Sequence, residues 1–246
     1  MAWALRLEAE TRGVAEKLEG AGIPVLRLKG PGLQLRLYDT PAAYPSGDVD
    51  LLIPRRQAPA ARGVLERHGW LFDPDNGFLW RLSRAASFSR DGIIVDLHWG
   101  LHAAHLPAWS LRPLERELWA RAKRGAGGLL EPDPESLQVY LALHAAGHRF
   151  AQETWVCNVA ACSRLVTDWD RVWVIARKAR LSGTLRWATA VAEGRTPPSS
   201  KRVPLLDGAV GRVAWYLSWV LRGHFLRRPA RARLSAALRR KRRSDQ

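Results

Sequence analysis

Gly47-Asp48-Val49-Asp50-Leu51-Leu52-Ile53 limits the folds open to this 246-residue chain more than any other stretch. A glycine turn followed by an apolar run with one embedded acid reads as a strand. Side chains alternate between the faces of a strand, so Val49, Leu51 and Ile53 are expected on one side and Asp48 with Asp50 on the other. Two carboxylates two residues apart on a strand lie roughly 6–7 Å from each other and repel unless a cation stands between them. A third acid, Asp96, sits inside Ile93-Ile94-Val95-Asp96-Leu97-His98-Trp99, a second strand-like run. An acid in such a run requires a partner or a metal. Hard oxygen donors of this kind suit Mg²⁺ (or Mn²⁺), which takes one or two carboxylates and fills its shell with substrate phosphates. A lone Asp-x-Asp also marks a solvated turn, so the pair by itself leaves both readings open. On the metal reading, Asp48→Ala or Asp50→Ala relieves repulsion in the metal-free chain and is expected to leave the fold intact or more stable.

The surrounding pattern is mixed. Leu5 to Leu18 reads as a helix ending near Gly20-Ala21-Gly22, Pro24 to Leu28 as a short strand, and Pro31 to Tyr38 as a helix with proline in its first turn. Residues 39–47 hold Pro41, Pro45 and Gly47 and form a loop leading to the Asp pair. Pro59 to His68 is a helix closed by Gly69. Phe78 to Leu82 and Ala86 to Ser89 read as strands of a meander, with Asp91-Gly92 as a two-residue hairpin turn before Ile93. The result is an α+β fold, a mixed sheet with packed helices. After Gly125-Ala126-Gly127-Gly128 and Pro132-Asp133-Pro134 every long segment is helical. The expected division is therefore 1–124 for the sheet-bearing domain and 125–246 for an all-α domain with a basic tail. Leu137, Tyr140, Leu141, His144 and His148 form one helical stripe, and Val210, Val213, Ala214, Leu217 and Leu221 another. Asp133 or Asp170 is expected to cap a helix here.

Lys29-Gly30 falls at a strand-to-helix turn. Gly30 permits close approach of a phosphate, the next helix supplies unpaired N–H groups, and Lys29 adds a point charge. Without further context Lys29 is equally an exposed lysine at a strand end. If it serves only the phosphates, Lys29→Ala leaves metal-free stability untouched. His98 shares a strand face with Asp96 and reads as its partner in a second shell or as a packed core residue, as do His144 and His148 on their helix. The His98/His102 spacing, with His105 close behind, suits zinc only on a helix, and the strand reading argues against that. The twelve tryptophans scatter through both halves and read mainly as packing.

Lys and Arg number 39 against 23 acids, a formal charge of +16 that attracts polyanions. Most of these are arginines, a bias that a GC-rich genome also produces, so charge alone leaves nucleic-acid binding open. Cys157 and Cys162 lie roughly 140° apart on a helix and read as inert thiols of a reduced interior. The N-terminus lacks an uninterrupted apolar core of the secretory kind, and no stretch reaches the ~18 apolar residues of a membrane span. A soluble, cytoplasmic protein is expected.

The order of these motifs resembles a known family. Val25-Leu26-Arg27-Leu28-Lys29-Gly30, Leu33 and Tyr38, the Gly47-to-Ile53 run, a helix ending at Gly69, and Val95-Asp96-Leu97-His98-Trp99 follow one another as in the uncharacterised nucleotidyltransferases of the polymerase-β-like superfamily. The resemblance continues through Leu118-Trp119-Ala120-Arg121-Ala122 and Leu141-Ala142-Leu143-His144 to about Ala192. It implies a nucleotidyltransferase-type mixed sheet and a Mg²⁺- or Mn²⁺-dependent transfer of a nucleoside monophosphate from an NTP to an acceptor hydroxyl. It further implies Asp48, Asp50 and Asp96 as metal ligands and catalytic carboxylates, with Lys29, Gly30 and Gly47 at the nucleotide. It places His144 near the cleft between the halves. The acceptor is open between RNA, held by the basic C-terminus, a peptide and a small molecule. Two other readings share this sequence: an idle nucleic-acid-binding protein on a degenerate transferase fold, and a phosphotransferase using the same metal site. Two departures from the family pattern stand out. Ala43-Tyr44-Pro45-Ser46 replaces a stretch that usually carries an Arg, and Asn158 in Trp155-Val156-Cys157-Asn158 replaces an Asp, keeping hydrogen-bonding capacity without charge.

Overall fold

The alternation around the Asp pair becomes a strand in the middle of a mixed sheet. The computed structural model describes residues 1–44, 47–72, 84–101, 111–125, 127–148, 150 and 152–195. Helix α1 (Ala2–Gly20) leads to β1 (Leu26–Arg27), α2 (Pro31–Tyr38), β2 (Asp48–Leu52), α3 (Ala58–Arg67) and β3 (Leu71–Phe72). Then come β4 (Ala85–Arg90), β5 (Ile93–His98), α4 (Arg112–Ala120), β6 (Lys123–Arg124) and β7 (Leu130–Glu131). Four helices follow: α5 (Pro134–Gly147), α6 (Glu153–Ser163), α7 (Trp169–Lys178) and α8 (Ser182–Ala192). Among the described residues the sheet has the order β3-β4-β5-β2-β1-β7-β6. β2 runs parallel to β5, and β1 parallel to β7; the other neighbours are antiparallel. The α+β architecture expected from the sequence is present.

The hairpin register comes from two residues. Asp91 and Gly92 both have positive φ, 49° and 78°, as the mirror-image turn between twisted strands requires. Arg90 then opposes Ile93, and counting back sets Ser87 opposite Asp96.

Each face of the sheet has its own core. Val49, Leu51 and Ile53 pack with Ile93, Val95, Leu97 and Phe88 against Leu7, Val14 and Leu18 of α1 and Ala61, Val64 and Leu65 of α3. Each of the larger aliphatic side chains contributes roughly 1.5–3 kcal/mol by leaving water. On the opposite face Leu26, Leu28 and Leu52 join Leu33 and Leu37 of α2, Leu114 and Leu118 of α4, and Leu137, Tyr140 and Leu141 of α5. That second core runs on without a break into α6, α7 and α8. The helical half is thus packed on the face that also carries the acids.

Several boundaries differ from the sequence reading. The sheet does not stop at residue 124: β6 and β7 pair with each other, and β7 pairs with β1, so the strand layer continues through Glu131. Gly125, Gly127 and Gly128 lie between these two strands. Strands of two residues carry no alternation long enough to be seen in sequence. Asp168, rather than Asp170, caps α7, accepting from the Arg171 amide at 2.9 Å. The expected strand over 78–82, His102, His105, the stripe over 210–221 and the basic tail lie outside the described residues. Both cysteines are free thiols, and burial pushes Cys162 up to about 12. Among the described residues no helix is long and apolar enough to cross a membrane.

Asp133 caps α5 as expected, its Oδ1 accepting from the Ser136 amide at 3.0 Å while Oδ2 pairs with Arg171 of α7. Burial alone would raise its pKa. The Ser136 hydrogen bonds and the Arg171 guanidinium outweigh that and hold it below the usual carboxylate range. Its stabilising contribution is therefore complete above the ordinary carboxylate pKa and fades as pH falls through the lower folded value. Asp133→Ala is expected to cost about 1–2 kcal/mol in urea unfolding at neutral pH, with the wild-type advantage shrinking in strong acid.

Candidate active site

Parallel pairing of β2 with β5 aligns Asp50 with Asp96 and Asp48 with Ile94. Adjacent strands are about 4.8 Å apart, so aligned residues present side chains to the same face at that spacing. Asp48 follows on the same face one residue pair away. Their alternating partners Val49, Leu51, Val95 and Leu97 are all buried in the opposite core, which fixes the direction of the acids.

Asp50 is the buried member, and both its oxygens are engaged. His98 Nε2 lies 2.7 Å from Oδ1, and Lys29 Nζ forms an ion pair with Oδ2. Burial holds the His98 pKa down to about 4, with Lys29 acting in the same direction and Asp96 and Asp48 opposing. The imidazole is thus neutral at pH 7. Because a carboxylate can only accept, the proton shared with Asp50 sits on Nε2. From sequence His98 is read as a second-shell partner of Asp96 or a packed core residue; it is buried, and it hydrogen-bonds Asp50 on the neighbouring strand. The parallel register sets His98 beside Leu52, one residue pair beyond Asp50 and Asp96, and its ring reaches across to the neighbouring strand.

Asp96 accepts from Ser87 Oγ at 2.5 Å, across the β4–β5 pairing. Sequence reasoning passed over Ser87, although the Asp91-Gly92 turn already places it opposite Asp96. Tyr140, also passed over, looks onto the cluster from α5. Burial pushes its phenol above the ordinary value, and Asp48 and Asp96 push the same way, which marks its nearness to both acids. One turn on, the His144 ring stacks at 6.1 Å from Tyr140, and His144, His148 and Trp155 pack edge to face or tilted at 4.4–5.6 Å. His144, half-buried, belongs to a ring cluster with Tyr140, His148 and Trp155 at the edge of the helical core.

The turn beside Asp50 is built around glycine. Gly30 has φ +120°, and a Cβ there would meet the Val49 side chain at 3.3 Å, so two independent constraints exclude a side chain. Gly30 caps α2, and Pro31 opens it. The Leu28 amide donates to the Asp50 carbonyl at 2.9 Å, and the Lys29 amide to the same oxygen at 3.3 Å, locking the turn to β2. Gly47 is exposed at the mouth of β2, with open space where a Cβ would stand.

Lys29 itself points at the acids. Burial pulls its pKa below the ordinary lysine value, while Asp48 and Asp96 pull it back up. One ammonium is therefore drawn by all three carboxylates. Hard oxygen donors around a place where positive charge is already stabilised suit Mg²⁺ or Mn²⁺. Among the described residues no three acidic, His or Cys side chains already surround a common metal position. Asp50 Oδ2 faces Lys29, and Asp96 Oδ1 faces Ser87. Asp48, Asp50 and Asp96 carry oxygen donors of the type such an ion takes, and one of them, Asp50 Oδ2, is held by Lys29.

The two departures from the family pattern meet in space. Tyr38 donates from its hydroxyl to Asn158 Oδ1 at 2.9 Å, and its ring packs edge-on against Tyr44 with centroids 5.4 Å apart. Tyr44 in turn shares a side-chain hydrogen bond with Cys157, and its amide donates to Gln34 Oε1 at 3.2 Å. Tyr38 at the end of α2 thus stands between Tyr44 of the loop before the Asp pair and Asn158 of α6.

A protein-family model described as uncharacterised nucleotidyltransferase matches residues 2–196. No curated protein matches the chain. Among solved structures, the chain is similar to the solution structure of the antibiotic-resistance factor ANT(2'')-Ia. That likeness has 13% identity, covers 77% of this chain and 96% of the other, and has a TM-score of 0.47.

Proposed function

Since the chain belongs to the uncharacterised nucleotidyltransferase family, we propose that it transfers a nucleoside monophosphate from an NTP to an acceptor hydroxyl at Asp48, Asp50 and Asp96. The observation that carries this reading is the alignment of Asp50 with Asp96 on adjacent parallel strands, with Asp48 on the same face. Asp48, Asp50 and Asp96 would hold Mg²⁺ or Mn²⁺, which supplies acidification of the acceptor hydroxyl and charge stabilisation at the α-phosphate. The chain's own groups do the rest. Gly30 leaves room for the triphosphate at the N-terminus of α2, and Lys29 offers a cation to it. His98 holds Asp50 in place through Nε2, and Ser87 holds Asp96. With Oδ1 given to Ser87, Asp96 keeps Oδ2 for a metal or for the acceptor proton. Tyr140 and the rings behind it border the side from which an acceptor or a base approaches.

The reaction class is tested with triphosphates labelled at either the α or the γ position, incubated with Mg²⁺ and total RNA or cell extract. Label from the α position in the product is expected. Label transferred only from the γ position selects phosphoryl transfer, and salt-sensitive RNA binding with no label transferred selects the idle binding protein.

The basic C-terminus bears on the acceptor. Between Gly208 and Ser244 there are eleven basic residues and no acid. If RNA is the acceptor, its affinity is expected to fall by about 0.7–0.9 log units per log unit of salt for each phosphate contacted. Truncation after Arg228 is expected to flatten that slope without changing triphosphate binding. An unchanged slope measured by filter binding would direct the search to peptides and small molecules.

A further inference from the structure

Lys29 ends on a carboxylate although it borders a turn suited to phosphate. Its Nζ pairs with Asp50 Oδ2, its side chain is only 19% exposed, and Asp48 and Asp96 act on the same charge. Oδ1 of Asp50 is taken by His98 at 2.7 Å. Any cation that binds through Oδ2 must replace the ammonium. Three acids on one sheet face repel each other, and one internal cation offsets part of that repulsion. One lysine faces three acids, so the cluster keeps an excess of carboxylates over internal cations, which favours a divalent ion.

We propose that Lys29 is the built-in counter-ion of the carboxylate cluster: it occupies Asp50 Oδ2 in the metal-free protein, yields that oxygen to Mg²⁺ or Mn²⁺, and turns to the triphosphate. This rests on the reading that a divalent cation binds at Asp48, Asp50 and Asp96. A lysine ammonium left beside a bound divalent ion would be repelled by like charge, and phosphate oxygens offer it the nearest compensation. Lys29 immediately precedes Gly30, the N-cap of α2, so its side chain starts beside the turn suited to phosphate. Lys29 thereby becomes a positioning residue that couples the two ligands. Its charge is released for the nucleotide only when the metal has replaced it, so the metal-free protein presents a weakened phosphate site. Lys29 also competes with the metal, and that separates this role from a phosphate contact alone.

The test measures Mn²⁺ affinity by electron paramagnetic resonance of the free ion, without nucleotide, for wild type, Lys29→Met and Lys29→Gln. Lys29→Met is expected to bind Mn²⁺ roughly tenfold tighter or more, as removal of a charged competitor predicts. The gain should persist at high salt, because a buried pair is little screened whereas a remote field would be. Triphosphate affinity in saturating Mn²⁺ should fall in the same variant. A lysine that only supports the fold would not strengthen one ligand while weakening the other. Equal or weaker Mn²⁺ binding by Lys29→Met overturns the counter-ion role. Mn²⁺ binding by none of the proteins, wild type included, overturns the metal reading beneath it. Should Lys29→Met and Lys29→Gln both fail to fold, acylation of Lys29 in the wild type, followed by peptide mass spectrometry, decides: labelling must rise on adding Mn²⁺, and unchanged labelling overturns the proposal.

Discussion

Asp50→Ala is expected to abolish transfer and to cost the metal-free protein about 3–5 kcal/mol, because the substitution strands the partners of a buried ion pair. Asp50 and Lys29 side chains are 6% and 19% exposed, so neither charge is well hydrated once the other is gone. His98 loses the acceptor for its Nε2 proton at the same time. This reverses the expectation from sequence, where two neighbouring acids suggested that removing either would relieve repulsion. The pair does repel, but Asp50 is neutralised by a lysine that no spacing rule connects to it. Urea unfolding in chelator, followed by the labelled-triphosphate assay, gives both readouts. A variant as stable as wild type would show that the Lys29–Asp50 pair contributes nothing to the fold.

Asp48→Asn and Asp96→Asn should separate chemistry from stability. Each is expected to lower the transfer rate by on the order of 10³-fold or more, the scale on which loss of one group aimed at developing charge is felt. Stability should change by no more than ~1 kcal/mol, since Asp48 is partly exposed and Asp96 loses one hydrogen bond to Ser87. Single-turnover kinetics in saturating Mg²⁺ and NTP, set beside unfolding curves, distinguish this from a general loss of structure. Transfer within tenfold of wild type in either variant would remove that residue from the site.

What could be read in the sequence follows from the range of the interactions involved. The faces of β2 are set by a period of two within five residues, so the common direction of Asp48 and Asp50 was legible. The β4–β5 register was equally legible, because Asp91-Gly92 permits one tight turn, and from it Ser87 opposite Asp96 could have been counted. Long-range pairings were not. Nothing local states that β2 aligns with β5 at Asp50 and Asp96, and the partner of His98 depends on that alignment. Lys29 was recognisable as the lysine of a turn, yet its distance from Asp50 is set by the antiparallel pairing of β1 with β2. Tyr44 and Asn158 looked like separate departures until Tyr38 linked them through a ring contact and a hydrogen bond. The β6–β7 hairpin was missed because strands of two residues are too short to show an alternation.

Nucleotidyl transfer as proposed requires a metal-bound triphosphate on the Asp48, Asp50 and Asp96 face, beside Gly30. The most direct measurement is a crystal structure with Mn²⁺ and a non-hydrolysable NTP, located by the anomalous signal of manganese. A manganese peak coordinated by Asp48 and Asp50 or Asp96 is expected, with triphosphate at the Gly30 turn and Lys29 moved from Asp50 to a phosphate. Manganese and triphosphate bound elsewhere, with Lys29 still paired to Asp50, would contradict it.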